Sequence, residues 1–256
     1  MRIEKLRLRS AAPKKLAAFY QSAFGAALSG RTLRIGEAQI EIAAAVNPAP
    51  QNFASNESGF QHFALVVAEI GRAYDLLRQT PGWRPISLAG PEQLPQSSGG
   101  AAAFKFRDPE GHPLELLQFA KDAVPPFWRD SFAAAPRRVF HGVDHTGLAA
   151  RDADAAAGFW QGLGFVCVRR GLNRGPEQAR LDGFDGVSDA EVEIVSLAAP
   201  DDSRPGVELL ACRRPAPVSR PAADGDVAAT EILIAGAGEK EILVRDPEGH
   251  RAITTP

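Results

Sequence analysis

The hexapeptide Arg-Asp-Pro-Glu-Gly-His occurs twice in the chain, at residues 107–112 and again at 245–250, 138 positions further on. A second pair of similar segments, Phe19–Gln21 and Phe159–Gln161, lies 140 positions apart, in nearly the same register. Self-similarity at a fixed spacing is the signature of a duplicated structural unit. The sequence therefore predicts two homologous halves that fold alike.

The boundary between the halves is predicted from residues 120–139. This segment contains three prolines and interrupts the periodicity of helix and strand on either side of it. Such interruption is typical of a connector. We therefore predict one half over residues 1–119, a connector over 120–139 and a second half over 140–256.

Hydrophobic periodicity divides each half into two strand–helix–strand modules, numbered 1 to 4 along the chain. Module 4 is shortened, because only a short segment separates Leu233 from Asp246 and leaves no room for a helix. Gly25 and Gly164 are placed to end the helices of modules 1 and 3. The predicted strands are 3–8, 62–67, 102–107, 113–119, 144–149 and 207–212, with a hairpin over 33–42, and the predicted helices are 13–24, 70–79 and 153–163.

Composition limits the possible partners. The 256 residues are 45% hydrophobic and 23% charged with a net charge of −2, which indicates a globular protein without the basic surface that nucleic acid or an anionic membrane requires. No apolar run approaches the roughly 20 residues of a membrane span. We expect a cytoplasmic protein with no nucleic-acid or membrane partner, and we expect Cys167 and Cys212 to be buried core thiols in a reducing compartment.

Three segments resemble the vicinal oxygen chelate superfamily, which comprises glyoxalases, bleomycin-resistance proteins and extradiol dioxygenases. They are His145–Phe165, Arg107–Leu117 and Val207–Leu210. The resemblance implies an α+β fold of tandem βαβββ modules whose paired sheets form cups. It also implies that a cup holds one divalent metal ion, with ligands on the first and last strands of the paired modules.

Carried over by position, the resemblance assigns metal ligands to modules 2 and 3. The first strands supply His62 and His145, and the last strands supply Glu115 and Glu208. Two imidazoles and two carboxylates suit a divalent transition metal and leave positions for water or substrate. The metal implied is zinc, nickel, cobalt, manganese or iron.

Modules 1 and 4 keep little of this set. The corresponding positions are Lys5, Glu41, Thr230 and Ile253, of which only Glu41 is a metal ligand type. Pairing module 1 with 2 and module 3 with 4 would give two incomplete sites. Pairing 2 with 3 and 1 with 4 would give one complete site and one inactive cup, and this crossed arrangement is the simpler interpretation. Lys5 and Glu41 would then form a buried ion pair.

The implied chemistry is proton transfer on a small oxygenated substrate, as in an isomerase or lyase. Glu115 or Glu208 could act as general base beside a metal-polarised oxygen. Two alternatives remain open. One is an iron-dependent extradiol dioxygenase, and the other is a metal-free binding protein whose cavity is walled by Trp83, Trp128 and Trp160, although Trp160 is expected in the core.

Several other polar residues are expected to have ordinary roles. His112 and His250 follow the turn glycines and are predicted to be exposed, and His141 is predicted to be structural. Three arginines after the module 3 helix could steer an anionic substrate, but a solvated basic loop is the favoured interpretation; they are Arg169, Arg170 and Arg174. Because the duplication supplies module pairing within one chain, a monomer or a homodimer is expected.

Overall fold

The computed structural model describes residues 1–46, 52–228, 230–237 and 240–256. The strands are β1 (Arg2–Ser10), β2 (Ala27–Ser29), β3 (Thr32–Ile35), β4 (Ala38–Ala44), β5 (Gln61–Val67), β6 (Arg84–Pro85), β7 (Glu92–Gln93), β8 (Ala102–Arg107), β9 (Pro113–Gln118), β10 (Phe140–Ala150), β11 (Val166–Arg174), β12 (Glu191–Ala198), β13 (Gly206–Arg214), β14 (Glu231–Ala235), β15 (Ile242–Arg245) and β16 (Arg251–Thr255). The helices are α1 (Pro13–Phe24), α2 (Ile70–Gln79), α3 (Pro126–Ala134), α4 (Ala153–Gly162) and α5 (Pro176–Leu181), with a 3₁₀ turn at Gln96–Ser98.

The strands form two mixed sheets, and the predicted α+β class is confirmed. The seven-stranded sheet has the order β15-β16-β14-β1-β4-β3-β2 and combines modules 1 and 4. The nine-stranded sheet has the order β11-β12-β13-β10-β5-β9-β8-β6, with β7 also paired to β8, and combines modules 2 and 3. The modules are therefore paired in the crossed arrangement. The division into halves at residues 119 and 140 stays a prediction from the duplication.

Helices α1 and α4 begin and end where local chemistry favours it. Helix α1 starts with Pro13 and ends at Gly25, whose left-handed backbone (φ 65°) directs its N–H to the carbonyl of Gln21. In α4, the Asp152 side chain accepts hydrogen bonds from two first-turn N–H groups. Trp160 on α4 is fully buried in the main core, as predicted.

The repeated hexapeptide acts as a clamp between modules. Asp108 Oδ1 accepts three backbone N–H groups of its own turn, which fixes the turn's shape. The Glu110 carboxylate then accepts the N–H groups of Ala11 and Ala12, immediately before α1. In the second copy, Glu248 accepts the N–H of Arg151 in the same way, immediately before α4. Each copy thus ties its own module to the helix start of the preceding one.

The prediction that His112 and His250 are exposed is wrong, because both side chains are buried. The Nδ1 atom of His112 lies 2.7 Å from Asp108 Oδ2, and its Nε2 faces the carbonyl oxygens of Arg9 and Val227. His250 Nε2 lies 2.9 Å from the carbonyl of Ala149. Both rings reach inward to strands of other modules, a contact that a turn motif alone does not reveal.

Three further expectations meet different outcomes. The connector contains a helix, α3, because Pro125 and Pro126 begin it rather than prevent it. Cys167 is exposed while Cys212 is buried, since Cys167 lies on the edge strand β11. Module 4 shows no helix between β14 and β15 among the described residues, as predicted. None of the described helices has the length and apolar character to cross a membrane.

Two glycines with left-handed backbones test how closely the sheets approach each other. Gly36 (φ 59°) in the β3–β4 turn lies against β10, where an added Cβ would sit 1.8 Å from the His141 carbonyl oxygen. Gly30 has a similar φ of 60° with nothing within 4 Å. Gly30→Ala should therefore lower the free energy of unfolding by about 1 kcal/mol, through backbone strain alone. Gly36→Ala should lower the free energy of unfolding by on the order of 3 kcal/mol, because the added Cβ would meet the backbone of His141, which cannot move aside as a flexible side chain can.

Urea denaturation of both variants checks this prediction. Equal losses of unfolding free energy would show that the turn does not bear on β10 as closely as described.

Candidate metal centre

The antiparallel pair β5–β10 at the middle of the nine-stranded sheet brings His62 and His145 together. His62 is registered with Gly147, so the two histidines lie on neighbouring strands with ring centroids 5.6 Å apart. The flanking strands are parallel to them: β9 beside β5 contributes Glu115, and β13 beside β10 contributes Glu208. Four adjacent strands therefore carry the four predicted ligands.

Three of these side chains form a tight group. Ligand atoms of His62, Glu115 and His145 all lie within 4.8 Å of one another, and His62 Nε2 is 3.0 Å from Glu115 Oε2. Glu208 lies beside this group, with its Oε2 3.4 Å from His145 Nε2 and its Oε1 3.3 Å from the Ser196 hydroxyl. The assignment of all four as ligands stays a prediction.

The polar atoms of this group suit a cation. Both ring nitrogens of His62 and Nε2 of His145 are buried without a hydrogen-bond partner among the residues described. Unpaired buried polar atoms are costly and therefore rare. Imidazole nitrogens and a carboxylate that converge in this way are the donor types that divalent transition metals accept. The residues present fit the ion that the resemblance implies.

The pKa shifts differ between the two histidines. Burial lowers the pKa of His62 to about 4, so this imidazole is neutral at pH 7, as a metal ligand must be. Burial opposes protonation of His145 too, but the carboxylates of Glu208 and Asp144 outweigh it and raise its pKa to about 9. For Glu115, burial is outweighed by the neighbouring His62 imidazole and by Lys105, and its pKa falls to about 2.

Asp144 orients His145 from behind, a role that the sequence analysis missed. Its Oδ2 is 3.0 Å from His145 Nδ1, which leaves Nε2 directed at the other ligands. Trp128 of α3 donates its indole N–H to Asp144 Oδ1 at 2.6 Å, and Arg204 Nε lies 3.3 Å from the same oxygen. A carboxylate behind a histidine is the usual support of a metal ligand. The Asp-His pair in sequence is the signal that could have indicated it.

Lys105 is the second residue that the sequence analysis missed. It lies on β8 directly opposite Glu115 on β9, and its buried Nζ is 4.0 Å from Glu115 Oε2. Asp182, at the end of α5, accepts a 2.5 Å hydrogen bond from the same ammonium. Burial favours the neutral amine, but Asp182 and Glu115 outweigh it and raise the pKa of Lys105. The centre therefore holds a fixed positive charge.

A cavity of about 470 Å³ opens onto the centre. Its wall comes from modules 2 and 3, with residues from α5 and the connector. Phe119 is the one aromatic residue among the described lining residues, so Trp83, Trp128 and Trp160 do not form its wall. A shallower depression of about 620 Å³ lies elsewhere beside α1, but its described lining has one carboxylate and no histidine or cysteine. The smaller cavity is therefore the functional candidate.

The sheet of modules 1 and 4 carries ion pairs where the other sheet carries ligands. Lys5 Nζ lies 3.8 Å from Glu41 Oε2, and Arg7 bridges Glu41 at 3.3 Å and Glu231 at 3.1 Å. The predicted Lys5–Glu41 pair is present, although both side chains are only partly buried. Glu41 and Glu231 therefore each have a cationic neighbour.

Comparison with known proteins agrees with this architecture. Residues 2–116 match the model of the glyoxalase/bleomycin resistance protein/dioxygenase superfamily. The resemblance that the motifs predicted is therefore confirmed over residues 2–116. No curated protein sequence matches the chain.

Solved structures extend the likeness in fold to the whole chain. Glyoxalase I from Zea mays is similar with a TM-score of 0.62 and 14% identity over 99% of this chain and 91% of that chain. A candidate dioxygenase from Bacillus subtilis is similar with a TM-score of 0.57 and 13% identity over 100% of this chain and 86% of that chain. At these identities the likeness concerns the fold.

Gly147 provides a test of the centre that leaves every predicted ligand in place. A Cβ added at Gly147 would lie 2.0 Å from Cε1 and 2.5 Å from Nδ1 of His62. Gly147→Ala should therefore push the His62 ring aside and weaken metal binding at least about 10-fold. Gly158→Ala is the matched control, because nothing lies within 4 Å of a Cβ there.

Metal titration of the two variants, with circular dichroism to confirm folding, makes the comparison. Unchanged affinity in Gly147→Ala would mean that the His62 ring does not take part.

The pKa of His145 predicts how metal binding depends on pH. With a pKa of about 9, this imidazole is protonated at pH 7 and must lose its proton to bind a metal, whereas His62 has none to lose. Apparent affinity should therefore rise roughly tenfold per pH unit between pH 6 and 8, with about one proton released. Zinc titration calorimetry in buffers of different ionisation enthalpy counts the proton. Release of none would contradict the charged state of His145.

Proposed function

We propose that this chain is a metal-dependent enzyme of the isomerase or lyase type, which acts by proton transfer on a small oxygenated substrate. The observation that carries the proposal is the convergence of His62, Glu115 and His145 beside a cavity that Glu115 and His145 line. The unpaired ring nitrogens favour the binding of a cation, and the adjacent cavity favours the binding of a small-molecule substrate. We expect the protein to act as a cytoplasmic monomer or homodimer.

In this proposal His62, His145 and Glu115 hold one divalent ion, which could be zinc, nickel, cobalt, manganese or iron. Bound there, the ion would act as a Lewis acid that polarises a carbonyl or enediolate oxygen of the substrate. Asp144 keeps His145 in the tautomer that presents Nε2 to the centre.

Of the two carboxylates predicted to be catalytic, Glu208 is the better general base. It lies outside the tight group of three, so it is less committed as a ligand, and it lines the cavity. Its Oε1 faces the hydroxyl of Ser196, which can hold the carboxylate turned towards the substrate. Glu115 lies between His62 and Lys105 and is better suited to remain in place as a ligand. Glu208 would then accept the proton from the carbon next to the polarised oxygen.

The extradiol dioxygenase alternative has one specific observation in its favour. Two histidines and one carboxylate in a tight group are the ligand set of non-haem iron oxygenases, which need open positions for oxygen and substrate. The metal-free binding protein is less well supported, because the described cavity wall contains one aromatic residue instead of three tryptophans.

Metal content of the purified protein is the decisive measurement. We expect about one equivalent of a divalent transition metal by elemental analysis, with affinity reduced at least about 100-fold in His62→Ala, His145→Ala and Glu115→Gln. Glu41→Gln is the matched control, because Glu41 holds the corresponding position in module 1. Absence of metal after reconstitution would leave the binding-protein alternative.

The identity of the metal separates the two enzyme classes. If the protein retains iron, the Fe(II)-loaded form should be exposed to nitric oxide, which occupies an oxygen site and is detected by electron paramagnetic resonance. A nitrosyl signal would favour the dioxygenase, and zinc, nickel or cobalt in the isolated protein would favour proton transfer.

A further inference from the structure

The ammonium group of Lys105 has hydrogen-bonding capacity that the protein does not use. It carries three N–H donors but makes one side-chain hydrogen bond among the described residues, to Asp182. Glu115 is 4.0 Å away, beyond hydrogen-bond distance, and the Phe60 ring centroid is 5.9 Å away. A buried charge with unused donors is costly unless another acceptor satisfies them. Lys105 lines the cavity, so that acceptor can come from a ligand.

The position of Lys105 is fixed from the opposite module. Asp182 Oδ2 accepts a 2.6 Å hydrogen bond from the side-chain amide of Gln178, whose Oε1 accepts one from Asn173 at 3.1 Å. Gln178 and Asn173 also line the cavity. This chain of polar groups belongs to module 3, while Lys105 belongs to module 2. The ammonium is therefore held in place across the interface that forms the cavity, as a preorganised electrostatic site requires.

The three arginines after the module 3 helix divide into two kinds. Arg170 pairs with Asp154 and Glu193, and Arg174 pairs with Glu191, so both are neutralised on the surface. Arg169 lines the cavity beside Gly99 and forms no ion pair with any residue in the described ranges. The cavity thus has an unpaired guanidinium in its wall besides the buried ammonium.

We propose that the substrate is a small organic anion, whose negatively charged oxygen is bound by Lys105 Nζ beside the candidate metal centre and whose second acidic group is bound by Arg169. The substrate class is a small di-acid. This assignment rests on the proposed function, because it concerns the same cavity. Lys105 and Arg169 have unused hydrogen-bond donors in the cavity. The neighbouring Arg170 and Arg174 are instead paired with protein carboxylates.

The test measures anion binding to metal-free protein, so that it does not depend on the metal centre. Protein is stripped with a chelator, checked by elemental analysis and titrated calorimetrically with the unbranched dicarboxylates from malonate to adipate at low ionic strength. The corresponding diamides are neutral controls of the same length. At least one dicarboxylate should bind with a dissociation constant below about 1 mM, and its diamide should bind at least about 10-fold more weakly.

Two variants assign this binding to the two cations. Lys105→Met combined with Asp182→Asn removes the ammonium together with the charge of the carboxylate that it hydrogen-bonds, and it should weaken binding at least about 10-fold. Arg169→Gln should weaken it about 3-fold to 10-fold, because this side chain is more exposed. Arg174→Gln, on the same strand but paired with Glu191, should change nothing.

The proposal is overturned if no dicarboxylate binds better than its diamide. It is also overturned if folded protein lacking Lys105 and Asp182 binds as tightly as the original chain. Failure of the metal centre would appear instead as absent metal in the elemental analysis, with dicarboxylate binding intact.

Discussion

The antiparallel pairing of β5 with β10 is the interaction on which the rest of the centre depends. It joins module 2 to module 3, and its register of His62 with Gly147 determines which side chains meet. A shift by one residue would turn one histidine to the opposite face of the sheet. The absence of a side chain at Gly147 leaves room for the His62 ring, so the glycine belongs to the site as much as the ligands do.

The sequence predicts the fold more completely than it predicts the centre. Helix α2 and strand β8 have the predicted bounds, because apolar periodicity and stop signals are local. His62, Glu115, His145 and Glu208 could be placed on strands by motif spacing. Lys105 and Asp182 could not, because their roles arise from register across strands and from packing between modules. His112 and His250 were wrongly predicted to be exposed for the same reason, since a turn sequence does not show which strands of other modules pack against it.

The charges of the centre are balanced between modules. Asp182 of module 3 neutralises Lys105 of module 2, and Arg204 and Trp128 both contact Asp144. Lys105 and Asp144 therefore have partners in the protein, whereas the histidine nitrogens that meet Glu115 have none among the described residues. The other sheet shows the alternative outcome of the same duplication. In that sheet, Glu41 is paired with Lys5 and Glu231 with Arg7, so these carboxylates are neutralised by side chains of the protein.

The crossed pairing of modules also imposes an order on folding during synthesis. When the first half of the chain leaves the ribosome, β5 and β1 each lack the neighbour that will cover one of their edges, because those neighbours are β10 and β14. Unpaired strand edges invite association between chains. Strand β10 follows soon, but β14 follows only after the rest of module 3. The nascent protein therefore carries one open sheet until β14 has been synthesised, and its dependence on chaperones should be greatest in that interval.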